Sequence, residues 1–128
     1  MDLSSITVLI VEDEANVRFT IRAMLMEMGI EAVSEATSGE QALSVLASAP
    51  NDFRLILCDW NMPGMKGIDF LREVRKTYPI MSFIMITARA DESSILEAKD
   101  ANVTAYIRKP FSMNELKSKI TLLFNRGR

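Results

Sequence analysis

Charged and hydroxyl side chains stand at or just beyond the ends of four short apolar runs in this sequence. Glu12 and Asp13 follow the first run, and Asp59 follows the third. Thr87 follows the fourth run, and Lys109 comes shortly after the fifth. Carboxylates are ligands for hard divalent cations, and a lysine ammonium group pairs with phosphate as a point charge. Together these residue types indicate phosphoryl chemistry, provided that the fold brings the ends of the runs together.

The elements that must position these residues are short apolar runs separated by stretches with helical spacing. Continuous apolar runs are typical of strands buried on both faces of a parallel sheet. The predicted strands are Thr7–Val11, Glu31–Ala36, Leu55–Cys58, Phe83–Ile86 and Ala105–Ile107. Helical stripes include Val17, Ile21, Leu25 and Met28 near the start, and Leu116, Ile120, Leu123 and Phe124 near the end. Alternation of this kind predicts an α/β fold with a doubly wound, mostly parallel sheet and helices on both faces.

Residues typical of helix ends agree with this register. Gly29 follows the first helical stripe, where a left-handed residue is common. Ser38 and Gln41 form a capping-box pattern before the second helix, and Asp91 is the expected N-cap of the fourth. These signals place the helix ends that flank the polar residues.

The composition excludes several other functions. A chain of 128 residues predicts a single domain. With no histidine and one cysteine, the chain has neither a Ser-His pair nor a multi-cysteine zinc site, and Cys58 is expected to pack in the core. The net charge of −2 argues against binding to nucleic acid. The lack of a long apolar run and of a signal peptide predicts a cytoplasmic protein without membrane insertion.

Each polar residue alone also has an ordinary structural explanation. Asp13 fits a helix cap, Thr87 fits the end of a strand, and Lys109 fits a solvated turn. In an open parallel sheet, however, the carboxyl ends of the strands form one crevice where ligands bind. Carboxylates gathered there repel each other unless a cation compensates them, so the sequence predicts a Mg²⁺ site.

Asp59 is the candidate nucleophile, because an aspartate can form an aspartyl-phosphate. It ends the strongest central strand and precedes a Pro63-Gly64 turn that would expose it.

Four segments together resemble the receiver domain of bacterial two-component response regulators, and most of all the stand-alone CheY-type chemotaxis regulators. The segments are Asp59 to Gly67, Glu12-Asp13, Thr87-Ala88 and Lys109-Pro110-Phe111. The resemblance implies a flavodoxin-like, three-layer sandwich whose five parallel strands are ordered 2-1-3-4-5. It also implies a single receiver domain over residues 1–128, with no output domain.

The resemblance implies roles for individual residues. Asp59 would be the phosphoacceptor. Asp13, Asp59 and the backbone carbonyl of Asn61 would hold Mg²⁺, with Glu12 acting through water and Mn²⁺ able to substitute. Asn61 and Arg89 would tune hydrolysis of the aspartyl-phosphate.

Further implied roles concern phosphoryl binding and switching. Thr87 and Lys109 would each bind a phosphoryl oxygen, and the small Ala88 would leave room for the threonine to move. Tyr106 would then turn inward as a switch. The Lys109–Pro110 peptide bond would be cis.

The implied protein is a signalling protein rather than an enzyme, with intrinsic autophosphatase activity. Its phosphodonor would be a histidine kinase or a histidine phosphotransfer protein, in agreement with the absence of histidine here. A downstream protein, in a chemotaxis pathway or another, would bind the face formed by the fourth helix, fifth strand and fifth helix.

Three alternatives remain at this point. A haloacid dehalogenase-type phosphatase needs a second aspartate two residues after its nucleophile, where this chain has Asn61. The other two are a phosphorylation-independent receiver-like interaction module and a receiver excised from a larger regulator.

Overall fold

Five strands and five helices alternate along the chain in this computed structural model, which describes residues 3–89 and 91–124. The strands are β1 Thr7–Val11, β2 Ala32–Ala36, β3 Leu55–Asp59, β4 Ser82–Thr87 and β5 Ala105–Arg108. The helices are α1 Ala15–Glu27, α2 Gly39–Ser48, α3 Gly67–Thr77, α4 Glu92–Asp100 and α5 Met113–Phe124.

The strands form one parallel sheet in the order β2-β1-β3-β4-β5, which confirms the predicted topology. β3 lies at the centre and is buried along its whole length. The register pairs Val11 with Cys58 and Asp59 with Ile86, so the carboxyl ends of β1, β3 and β4 meet at one edge. This edge carries the polar residues singled out in the sequence.

Two apolar clusters, one on each face of the sheet, form the core. Leu57 and Ile84 belong to the cluster packed against α1 and α5. Phe70 of α3 and Phe83 of β4 belong to the other, and their ring centroids lie 5.8 Å apart. Burial on both faces explains why the strands read as continuous apolar runs.

Three strands extend further than the apolar pattern indicates. Asp59, Thr87 and Arg108 are the last residues of β3, β4 and β5, and the ladder pairs Thr87 with Arg108. Backbone hydrogen bonding does not depend on side-chain polarity, so the sheet continues where the apolar run stops. The functional candidates Asp59 and Thr87 are therefore held by the sheet itself.

The predicted helix ends are confirmed, with one difference. Gly29 has a φ of +93°, and the Asp91 side chain accepts a hydrogen bond from the Ser94 backbone N–H. Ser38 Oγ accepts from the Gln41 N–H at 3.1 Å. The Gln41 side chain, however, accepts from the N–H of Thr37, one residue earlier than in a complete capping box.

Over residues 3–89 and 91–124, the structure contains no helix of the length and apolarity that crossing a membrane requires.

Candidate functional site

Three carboxylates converge at the carboxyl ends of β1 and β3. One oxygen from each of Glu12, Asp13 and Asp59 lies within 4.8 Å of the others. Glu12 is 1% exposed and Asp59 is 7% exposed, whereas Asp13 is half-buried. The structure thus brings together the acidic residues that the sequence predicted to meet.

Lys109 is the cation that faces this acidic cluster. Its Nζ lies 2.8 Å from Asp59 Oδ1 and 3.5 Å from Glu12 Oε1. The Lys109 backbone N–H donates to the Thr87 carbonyl at 2.7 Å, which ties the loop after β5 to the end of β4. The Lys109–Pro110 peptide bond is cis.

Burial dominates the electrostatics of the acidic cluster. Desolvation raises the pKa of Glu12 to about 7, although the hydrogen bond from the Glu14 N–H acts to lower this pKa. Desolvation also raises the pKa of Asp59, although Lys109 opposes this. The pKa of Lys109 is itself raised, because its contacts with Asp59 and Glu12 outweigh its partial burial. The pKa values of Glu12 and Asp59 thus remain raised even though the Lys109 ammonium group offsets part of the negative charge.

The donor set fits a hard divalent cation such as Mg²⁺. Glu12 Oε2 accepts a hydrogen bond from the Glu14 N–H at 3.1 Å, but Glu12 Oε1 is buried and has no hydrogen-bond partner within the described part of the chain. Asp13 is half-buried, and Asn61 is exposed two residues beyond Asp59. A buried carboxylate oxygen that has no hydrogen bond and faces Lys109 at 3.5 Å, beside two further carboxylates, is an environment in which an oxygen-liganded ion is stabilising.

Thr87 occupies the same edge one strand further along. Its side chain is buried, and Oγ1 accepts a hydrogen bond from the Arg89 N–H at 2.9 Å. Ala88, between them, is exposed. The hydroxyl group is thus held by the loop between β4 and α4.

Trp60, which the sequence did not single out for the site, lies beside this loop. The rings of Trp60 and Tyr106 meet edge to face, with centroids 6.5 Å apart. The Arg89 guanidinium lies 5.5 Å from the Trp60 ring centroid and donates to Ser94 Oγ at 3.3 Å. The Tyr106 hydroxyl donates to the Arg89 carbonyl. Both candidate switch residues, Thr87 and Tyr106, therefore bond to the backbone of Arg89.

Gly67 is a second residue that the sequence did not single out for the site. Its N–H donates to the Trp60 carbonyl at 2.8 Å, so the first residue of α3 lies directly against the end of β3. A Cβ at this position would lie 2.3 Å from the Asp59 carbonyl oxygen. In the sequence, the feature that could have indicated this close approach is a glycine at the first position of a helix.

Arg18 of α1 is a third residue that the sequence did not single out for the site. Its guanidinium donates to the backbone carbonyls of Glu12 and Asp13. Its Nε donates to Glu35 of β2, which is 17 residues away in the sequence. No local pattern marks a contact of this kind.

Comparison with known proteins gives consistent results. Residues 8–121 match the family model described as the response regulator receiver domain. Over 121 residues the chain is 41% identical to the chemotaxis protein CheY of Pseudomonas aeruginosa, covering 93% of this chain and 96% of that protein. It is 39% identical to CheY-3 of Vibrio cholerae, covering 93% and 92% of the two chains. The crystallised chemotaxis protein CheY4 of Vibrio cholerae has a TM-score of 0.85 at 28% identity, covering 91% of this chain and 97% of its own.

Proposed function

Since the chain belongs to the response regulator receiver domain family, we propose that it signals by accepting a phosphoryl group on Asp59 from a histidine kinase or a histidine phosphotransfer protein. The observation that carries the proposal is the position of Asp59. It is a buried carboxylate within 2.8 Å of Lys109 and beside two further carboxylates.

The transfer step exchanges one bond to phosphorus for another. An Asp59 oxygen forms the new O–P bond while the P–N bond to the donor imidazole breaks, and the nitrogen keeps the electron pair. Lys109 and the Thr87 hydroxyl bind phosphoryl oxygens and so position the group and balance its charge. Hydrolysis by water regenerates the Asp59 carboxylate and releases phosphate. This is the intrinsic autophosphatase step, which Asn61 and Arg89 tune.

In this proposal Asp13, Asp59 and the Asn61 backbone carbonyl hold Mg²⁺, Glu12 contributes through water, and Mn²⁺ can substitute. The bound ion supplies positive charge that stabilises the transferring phosphoryl group. Glu12 Oε1 supports this assignment, because it is buried and, apart from the ion pair with Lys109 at 3.5 Å, has no hydrogen-bond partner among the described residues.

Signalling requires that phosphorylation favour a second conformation. In the proposed switch, the Thr87 hydroxyl leaves the Arg89 N–H for the phosphoryl group, with Ala88 leaving room for the movement. Tyr106 then leaves the Arg89 carbonyl and turns inward. The α4-β5-α5 face changes shape as a result, and a downstream protein binds it.

The two CheY relatives align over more than nine-tenths of their own length and are named chemotaxis proteins. The names of these relatives support a chemotaxis-type pathway, in which residues 1–128 are proposed to act as a receiver domain in the cytoplasm.

The proposal predicts a fluorescence response at Trp60, the single tryptophan of the chain, which is buried and adjacent to Asp59. Beryllofluoride, which mimics a phosphoryl group, is expected to change the Trp60 emission of the wild type only when Mg²⁺ is present. Asp59→Asn is expected to abolish the beryllofluoride response.

Asp69→Asn is the matched control, because Asp69 is exposed on α3 and pairs with Arg72 on the surface. It should respond as the wild type does. An equal beryllofluoride response in Asp59→Asn would contradict the assignment of Asp59.

A further inference from the structure

Arg18 connects three segments near the acidic cluster. Its NH1 group lies 3.0 Å from the Glu12 carbonyl oxygen and 3.2 Å from that of Asp13. Its Nε lies 2.9 Å from Glu35 Oε1, and the side chain is 18% exposed. We propose that Arg18 is a positioning residue for the metal site, acting through the two backbone carbonyls that precede α1. The inference rests on the proposed function, because it assumes that Asp13 and Glu12 serve a divalent cation.

The loop between β1 and α1 needs such a support. It carries Glu12, Asp13 and Glu14 in succession, and three adjacent carboxylates repel each other. Glu14 is the N-cap of α1, but its side chain makes no capping hydrogen bond. Holding the carbonyls of Glu12 and Asp13 fixes the backbone from which both carboxylates project. Arg18 is therefore placed to set the direction of the two side chains.

Glu35 in turn fixes the orientation of Arg18. It accepts hydrogen bonds from Arg18 at 2.9 Å and from Arg22 at 2.7 Å. A guanidinium group is planar, so a bond at Nε restricts where its NH1 group can point. The positive charge of Arg18 on its own would disfavour a nearby cation. The negative charge of Glu35 offsets it.

The proposed role depends on geometry rather than on charge. Lysine keeps the positive charge of Arg18 but lacks the planar group that contacts both carbonyls and Glu35 at once. Arg22 is a matched control, since it also pairs with Glu35 from α1 but, within residues 3–89 and 91–124, makes no hydrogen bond to Glu12 or Asp13. Arg18→Lys and Arg22→Lys thus differ mainly in their link to the acidic loop.

The test is a Mg²⁺ titration of the wild type, Arg18→Lys and Arg22→Lys, followed by Trp60 fluorescence at constant ionic strength. Loss of a residue that orients metal ligands typically weakens metal binding by about 10–100-fold, so we expect the Mg²⁺ Kd of Arg18→Lys to rise about 10-fold. Arg22→Lys should bind within about 2-fold of the wild type. Phosphorylation of Arg18→Lys by acetyl phosphate at saturating Mg²⁺ should approach the wild-type rate, because the defect lies in binding the ion.

Glu35→Gln provides a second variant if Arg18→Lys does not fold. It keeps the size of the side chain but loses the charge that orients Arg18, and should weaken Mg²⁺ binding by no more than the roughly 10-fold expected for Arg18→Lys. Unchanged Mg²⁺ affinity in Arg18→Lys and Glu35→Gln, or equal weakening in Arg22→Lys, would overturn the role of Arg18 while leaving the proposed function intact. A wild type that does not bind Mg²⁺ would overturn both.

Discussion

Replacing Lys109 with methionine is expected to lower the free energy of unfolding by about 2 kcal/mol when no divalent cation is present. The ammonium group lies 2.8 Å from Asp59 and 3.5 Å from Glu12, both of which are buried. Removing one partner of a fully buried ion pair costs about 3–5 kcal/mol. The expected loss is smaller here because the Lys109 side chain remains 26% exposed. Urea unfolding in the presence of a chelator measures the effect.

Lys76→Met is the control for Lys109→Met. Lys76 pairs with Glu73 on α3 and is 70% exposed, so its loss should change stability by less than about 1 kcal/mol. The Mg²⁺ affinity of Lys109→Met should be no weaker than that of the wild type, since a positive charge near the ion is removed. Phosphorylation by acetyl phosphate should nevertheless be strongly slowed. Equal stability of the two variants would show that Lys109 does not balance the acidic cluster.

Gly67→Ala is expected to destabilise the protein by about 3 kcal/mol. The added Cβ would lie 2.3 Å from the Asp59 carbonyl oxygen and 2.8 Å from the Trp60 Cα, both of which are backbone atoms. Helix propensity acts in the opposite direction, because alanine is favoured over glycine within a helix by about 1 kcal/mol. Urea unfolding therefore separates the two effects: a lower free energy of unfolding indicates the steric clash, and a higher one indicates helix propensity.

Gly29→Ala is the appropriate comparison. Gly29 has a φ of +93°, and apart from its own neighbours in the chain no described residue has an atom within 4 Å of the position that an alanine Cβ would take, so only backbone strain opposes alanine there. That strain costs about 1–2 kcal/mol. Gly67→Ala should also reduce phosphorylation, since relief of the clash moves the backbone of Asp59, whereas Gly29→Ala should not. Stabilisation by Gly67→Ala would contradict the close packing of α3 against β3.

The fold was predictable because its main signals are local. Buried parallel strands read as apolar runs, and alternation with helices fixes the fold class. Asp59 and Thr87 could be placed in the crevice from their position at strand ends alone. The exact strand ends could not be predicted, because the hydrogen-bonded pairing of the strands continues through these polar residues.

The contacts that support the site were not predictable from local patterns. Arg18 meets Glu35 only because β2 lies beside β1, and Glu35 belongs to the strand with the weakest apolar signal. Arg89 meets Trp60 across two loops that are close only in the folded chain. Such pairs depend on the relative placement of elements, which a repeating pattern within one element does not encode.

The central claim is that Asp59 accepts a phosphoryl group, and mass spectrometry tests it most directly. Wild type, Asp59→Asn and the Asp69→Asn control are incubated with acetyl phosphate and Mg²⁺, and the modified residue is located after borohydride reduction. We predict one phosphoryl group per chain in the wild type and in Asp69→Asn, located at Asp59, dependent on Mg²⁺ and absent from Asp59→Asn. Equal incorporation in Asp59→Asn, or a phosphoryl group located at another residue of the wild type, would contradict the account.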